Sequence, residues 1–125
     1  FFYTPTPPTP MLRSLVGSEM CIRDSVSTTA DNVAVGLRAL KDNTAANNTA
    51  VGNYALEANT TGTRNTALGR SAASAVTDAE DTTAVGYNGL AALTTGERNT
   101  ALGHNALSAV TTAGYCVAVG SFANT

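Results

Sequence analysis

His104 is the only histidine in this 125-residue chain, so imidazole chemistry has one candidate and no partner of its own kind. It follows an Ala-Leu-Gly triplet, and the equivalent place after the related triplets holds Leu37, Asn53, Arg70, Tyr87 and Ser121. Such variation belongs to a solvent-facing position. A zinc site needs three or four convergent His, Cys or carboxylate ligands, which His104 and Cys116 do not supply. Asp78, Glu80 and Asp81 form one acidic cluster, but the Gly-Gly-x-Gly-x-Asp ladder of calcium-binding β-rolls is missing, so the cluster reads as a solvated corner. No Gly-x-Ser-x-Gly elbow, phosphate loop or dinucleotide fingerprint occurs in the repeats. Cys116 reads as a buried, inert thiol. The expectation is a chain without catalytic residues, metal or cofactor, and not an enzyme.

Composition narrows the partners. Seven Lys and Arg face nine Asp and Glu for a net charge of −2, which leaves no basic stripe for nucleic acid. No apolar run approaches the roughly 20 residues of a spanning helix, so no membrane insertion by this segment is expected. All four prolines and both methionines lie in the first twenty residues. Within that region Ser14 to Ser25, SLVGSEMCIRDS, resembles translated sequencing-adapter read-through. Residues 1–25 are therefore expected to be an artefact, or else a disordered proline-rich linker, without chemistry in either case. Setting them aside removes Cys21 and leaves Cys116 alone, so no disulfide framework forms within one chain.

Residues 26–125 form the second, repetitive part. An Ala-(Val/Leu)-Gly triplet ends at Gly36, Gly52, Gly69, Gly86, Gly103 and Gly120, giving steps of 16, 17, 17, 17 and 17 residues. A double step is visible as well: Thr49–Thr82 laid on Thr83–Cys116 matches at 21 of 34 positions. Self-similarity of this kind marks a solenoid or array.

Each unit starts with a short extended segment, Asn-Thr-Ala-Val-Gly, that places Thr49 and Val51 on one side and Ala50 and Gly52 on the other. A second apolar point follows at Leu56, Leu90 and Leu107, with Ala73 in the remaining inner unit, and then a corner such as Thr60-Thr61-Gly62. One strand, one bend with room for a short helical turn and one corner make a coil. About six stacked coils predict an all-β parallel β-solenoid, or β-roll, roughly 28 Å long at the usual interstrand spacing. A helix-turn-helix unit of the tetratricopeptide kind also runs to about 34 residues, but it leaves the glycine at every seventeenth position unexplained.

The inward positions of so narrow a coil are expected to be the strand Val and Leu together with Ala. The opposite strand face, Ala34, Ala50, Ala67, Ala84, Ala101 and Ala118 beside the glycines, is then a smooth strip without charge. A strand apolar on both faces normally has both covered, which predicts a homo-oligomer whose Ala/Gly faces approach closely. The column Asn32, Asn48, Asn65, Thr82, Asn99, Cys116 is expected to form an amide ladder along the rod. Threonine rows (Thr49, Thr66, Thr83, Thr100 and Thr60, Thr77, Thr94, Thr111) raise ice binding as a minor alternative, although the Thr-x-Thr pair of such faces is absent. Asn47-Asn48-Thr49 and Asn59-Thr60-Thr61 fit the N-glycosylation acceptor pattern.

The units NTAVGNYAL, NTALGRSAA, TTAVGYNGL and NTALGHNAL resemble the head repeats of trimeric autotransporter adhesins (YadA-like) and the related repeats of phage tail fibres. The resemblance covers Asn32 to about Ala123 and implies a left-handed, trimeric β-roll on a cell surface or virion. It departs from the adhesin pattern in unit length, and in having Val/Leu and Thr where isoleucine and serine are usual. The expected function is a non-catalytic repeat segment of an extracellular surface fibre or adhesin, with a host or matrix ligand as partner. A tail-fibre shaft with a mechanical role is the alternative. The ligand-facing surface is expected at Asn53, Tyr54, Arg70, Ser71, Tyr87, Asn88, His104 and Asn105, because an array displays variable columns in rows. Asn124 stands where other units have leucine, so the chain is expected to be a fragment.

Overall fold

The extended segments named by the repeat are the strands of the protein. In a computed structural model, which describes residues 22–23 and 31–124, β1 (Ile22–Arg23) is followed by β2 (Val33–Val35), β3 (Thr49–Val51), β4 (Thr66–Leu68), β5 (Thr83–Val85), β6 (Thr100–Leu102) and β7 (Val117–Val119). β2 to β7 stack in chain order as one parallel sheet, so the chain is a β-solenoid. Equivalent residues meet without slippage: Thr49 lies against Thr66, Ala50 against Ala67 and Val51 against Leu68, and the same register carries through to Leu102 against Val119. β1 pairs antiparallel with β2 at the N-terminal edge. The remainder of the expected artefact, residues 1–21 and 24–25, lies outside the described residues.

Why the step is fixed follows from the glycines. Gly52 has a φ of +134°, and a Cβ built on it would stand 2.5 Å from the carbonyl oxygen of Gly69 in the next coil. Only a residue without a side chain permits this turn and this approach. The column from Gly36 to Gly103 repeats that relation, each glycine lying against the backbone of the glycine one coil on.

The strand faces are the reverse of the sequence expectation. Ala34, Ala50, Ala67, Ala84 and Ala101 are wholly buried, whereas Val33, Leu68, Leu102, Val117 and Val119 are 45 to 67% exposed. Alanine points into the coil because the opposite wall supplies the bulk: Leu40, Leu56, Leu90, Leu93 and Leu107, with Val76, are fully buried and fill the interior. Two walls so close leave room for one large side chain and one small one per layer. The Ala strip is therefore core, and the inference that it meets another chain falls with it.

No helical turn forms in the bend among the described residues. Two left-handed residues per coil interrupt it, as at Tyr54 (φ 66°) and Leu56 (φ 49°) or Asn88 (φ 57°) and Leu90 (φ 52°). Each costs on the order of 1–2 kcal/mol for a residue with a Cβ. The offset is a bonded backbone and a buried side chain: Leu56 N–H donates to Ala72 O at 3.1 Å and Leu90 N–H to Ala106 O at 3.0 Å. Alternate bend groups bond to a neighbouring coil, as Tyr54 N–H does to Leu37 O at 2.8 Å, while others close within the coil, as Ala55 N–H does to Gly52 O at 3.2 Å, so the ladder continues around the coil beyond the strands.

The Asn column closes the corner, although not by amide stacking. Asn65 Nδ2 donates to the Ala79 carbonyl of its own coil at 2.7 Å, and its Oδ1 accepts the N–H of Thr82 in the next at 3.0 Å. Asn32, Asn48 and Asn99 do the same. These buried amides tie backbone to backbone from coil to coil, and Asn48 Nδ2 adds one side-chain bond, to Asn43 Oδ1 at 3.2 Å.

Candidate functional surface

Each glycine of the column is followed by two residues that turn outward, and these are the positions expected to face a ligand. The first of each pair (Asn53, Arg70, Tyr87, His104) is exposed, and the second (Tyr54, Ser71, Asn88, Asn105) is half-buried in the left-handed conformation. Backbone bonds fix their spacing. Ser71 N–H donates to Asn53 O at 2.9 Å, Asn88 N–H to Arg70 O at 3.1 Å and Asn105 N–H to Tyr87 O at 2.9 Å. The side chains are thus held about 4.8 Å apart along the rod.

Three of the eight residues are brought into one stack. The Arg70 guanidinium lies 5.7 Å above the Tyr87 ring, and Tyr87 stacks on His104 at 5.4 Å with an interplanar angle of 18°. Phe122 then meets His104 edge-on at 5.0 Å and 80°. Cation–π and ring pairs at exposed sites contribute about 0.5–1 kcal/mol each, enough to hold the side chains in a row. Phe122 was not among the expected residues, because it stands eighteen rather than seventeen positions after His104. Arg38 was missed as well; it lies 5.9 Å over Tyr54 and pairs with Glu57 at 3.0 Å. Asn53 is committed to the scaffold, since its Oδ1 accepts the N–H of Leu37 at 3.0 Å.

A second row runs along the corner that precedes each strand. Arg64 Nε donates to Asp81 Oδ1 at 2.6 Å and its Nη2 to Glu80 Oε2 at 2.7 Å. Arg98 approaches the other Asp81 oxygen at 3.9 Å, donates to the Tyr115 hydroxyl and lies 5.3 Å over the Tyr115 ring. The Arg64 hydrogen bond holds the Asp81 carboxyl below its ordinary range against a smaller opposing effect of burial, and the charges of Arg64 and Arg98 add to it. Two of the three acids in the Asp78, Glu80, Asp81 cluster are therefore answered by arginine. Asp78 accepts from the Thr61 hydroxyl at 3.0 Å.

The threonine rows divide. Thr44, Thr60, Thr77 and Thr94 donate their hydroxyls to carbonyls of the following coil at 2.8, 3.2, 3.3 and 3.0 Å, so this row is bonded to the ladder. Thr49, Thr66, Thr83 and Thr100 stand outward on the strand face beside Val51, Leu68, Val85 and Leu102. The Cys116 thiol, half-buried, donates to Gly114 O at 3.7 Å.

Chemically, the Arg70–Tyr87–His104–Phe122 stack presents ring edges, a guanidinium and imidazole nitrogens, next to the hydroxyl and amides of Ser71, Asn88 and Asn105. Such a row offers hydrogen-bonding groups and charge to the solvent side. Among the described residues no three His, Cys, Asp or Glu side chains converge as metal ligands, and no helix is long and apolar enough to cross a membrane. No family model matches the chain, and no curated protein or solved structure matches it.

Proposed function

We propose that this chain is a non-catalytic segment of an extracellular surface fibre or adhesin, and that copies of it, three in the favoured arrangement, associate through the outward strand face. The observation that carries the proposal is that face: Val35, Val51, Leu68, Val85, Leu102 and Val119 form one row and Thr49, Thr66, Thr83 and Thr100 a parallel one, without a charged side chain on any of the six strands. Exposed apolar surface that extends the length of a molecule marks an interaction site. Straight, in-register rows suit a second copy of themselves, and closure around an axis makes each outward face part of a shared interior.

The assembled rod spaces and presents the Arg70–Tyr87–His104 row to a host or matrix ligand, repeated once per copy, so that weak single contacts add through avidity. The resemblance of the Asn-Thr-Ala-x-Gly units to YadA-like heads supports this reading. Backbone bonding from coil to coil on every side also favours a load-bearing shaft, as a tail fibre on a virion requires. Sedimentation velocity of the full chain tests the proposal. An elongated particle of about three times 12.7 kDa is expected, and a single copy across the concentration range would refute it.

A further inference from the structure

Two Asn-x-Thr acceptor patterns occur in the chain, at Asn47-Asn48-Thr49 and Asn59-Thr60-Thr61, and the fold treats them oppositely. Asn59 is wholly buried, and its Nδ2 already donates to Asn43 Oδ1 at 2.6 Å and to Gly62 O at 2.9 Å. A sugar on that nitrogen would sit where the interior of the coil now is. Asn47 is exposed, in a left-handed turn (φ 63°) immediately before β3. Its neighbours are fixed. Asn48 is locked by bonds to Asn32 Oδ1 and Gly62 O at 2.8 Å each, and the Thr49 N–H is bonded to Asn65 O at 2.8 Å. The backbone of Asn47 is thus fixed in the left-handed corner column of Asp31, Asn47, Arg64, Asp81 and Arg98, with its side chain on the exposed side.

We infer that Asn47 is a site of N-glycosylation in the folded protein and that Asn59 is not. In the transfer, Asn47 Nδ2 forms a bond to the anomeric carbon of a sugar activated by a diphosphate leaving group. The bond from that carbon to the phosphate oxygen breaks, the diphosphate departs with the electron pair, and the transferase takes up the amide proton. The inference rests on the exposure of one amide and the enclosure of another; because Thr49 of the pattern stands on the strand face proposed above to associate, the folded arm is run on Val85→Asp, the expected single copy, as well as on the unmodified chain.

The test is to treat the full chain with a soluble, sequon-reading N-glycosyltransferase and a nucleotide-activated sugar, once folded and once unfolded in denaturant that the enzyme tolerates. Peptide mass spectrometry then locates the sugar. One sugar on Asn47 is expected in the folded chain, none in folded Asn47→Gln, and sugars on both Asn47 and Asn59 in the unfolded chain. Modification of Asn59 in the folded chain would overturn the inference, and so would an Asn47 that stays unmodified in either state.

Discussion

Asn48 Oδ1 accepts the backbone N–H of Asn65 at 2.9 Å, one coil further on, while Asn48 Nδ2 donates to the Gly62 carbonyl at 2.8 Å. One buried amide thereby joins two coils at a corner that water does not reach. Asn65→Ala would leave the Thr82 N–H and weaken the bonding of the Ala79 carbonyl, and unsatisfied buried groups cost about 1–3 kcal/mol each. Urea unfolding should show a loss of about 3 kcal/mol on that scale. Thr82 breaks the column, and its hydroxyl donates to the Glu80 carbonyl at 3.3 Å instead. Thr82→Asn restores the rung and should stabilise by about 1 kcal/mol, the usual net value of one hydrogen bond.

Two neighbouring glycines should respond oppositely to the same change. At Gly86 the φ is +121° and an added Cβ would lie 2.6 Å from the Gly103 carbonyl oxygen. Gly86→Ala should therefore cost about 2–5 kcal/mol in strain and forced separation of coils. Gly89 meets nothing closer than 3.7 Å and stands in a column of buried alanines, Ala39, Ala55, Ala72 and Ala106. Gly89→Ala should raise stability by roughly 0.5–1 kcal/mol by restricting the unfolded chain. Thermal melts of the pair check both signs.

Asn59 Oδ1 has no hydrogen-bond partner although it is buried. Its column continues as Val76, Leu93 and Val110, with Leu93 fully buried. Asn59→Leu copies the Leu93-Thr94-Thr95-Gly96 corner onto Asn59-Thr60-Thr61-Gly62, and removes an unpaired acceptor that costs about 1–3 kcal/mol. A melting temperature equal to or above that of the unmodified chain is expected. A clear decrease would mean that the amide of Asn59 is needed at Asn43.

The corner ion pairs predict a pH dependence. Hydrogen bonding from Arg64 lowers the Asp81 carboxyl below its ordinary value, so its stabilisation is complete above about pH 4, the unfolded value, and is lost as pH falls through the folded one. Between about pH 4 and 2 the unmodified chain should lose more melting temperature than Asp81→Asn. Arg64 is exposed and Asp81 half-buried, so solvent screens the pair, and the difference should be small and should shrink as salt is added. Identical pH profiles at low salt would contradict the pairing.

The strands, their register and the glycine column were legible in the sequence, because a clash between Gly52 and Gly69 forbids any other residue at that spacing. The direction of the strand faces was not. Thr/Val and Ala alternate, but both sets are compatible with a covered face, so a period of two leaves open which one is inside. The answer lies across the coil, in Leu56 and Leu90, whose bulk leaves room only for Ala50 and Ala84. The left-handed leucines also escaped, since no glycine or asparagine marks those positions and packing imposes the conformation. Of the candidate surface, the exposed columns were readable, and the stacking of Arg70, Tyr87, His104 and Phe122 was not, because it depends on which way successive turns lean.

Val85 lies on the outward face and Ala84, beside it, is wholly buried. The most direct test measures the mass in solution of the Val85→Asp chain against the unmodified one by light scattering, with circular dichroism as the check on folding. An oligomer is expected for the unmodified chain and a folded single copy for Val85→Asp. An unmodified single copy, or a Val85→Asp chain that keeps the oligomer mass, would contradict association through the outward face.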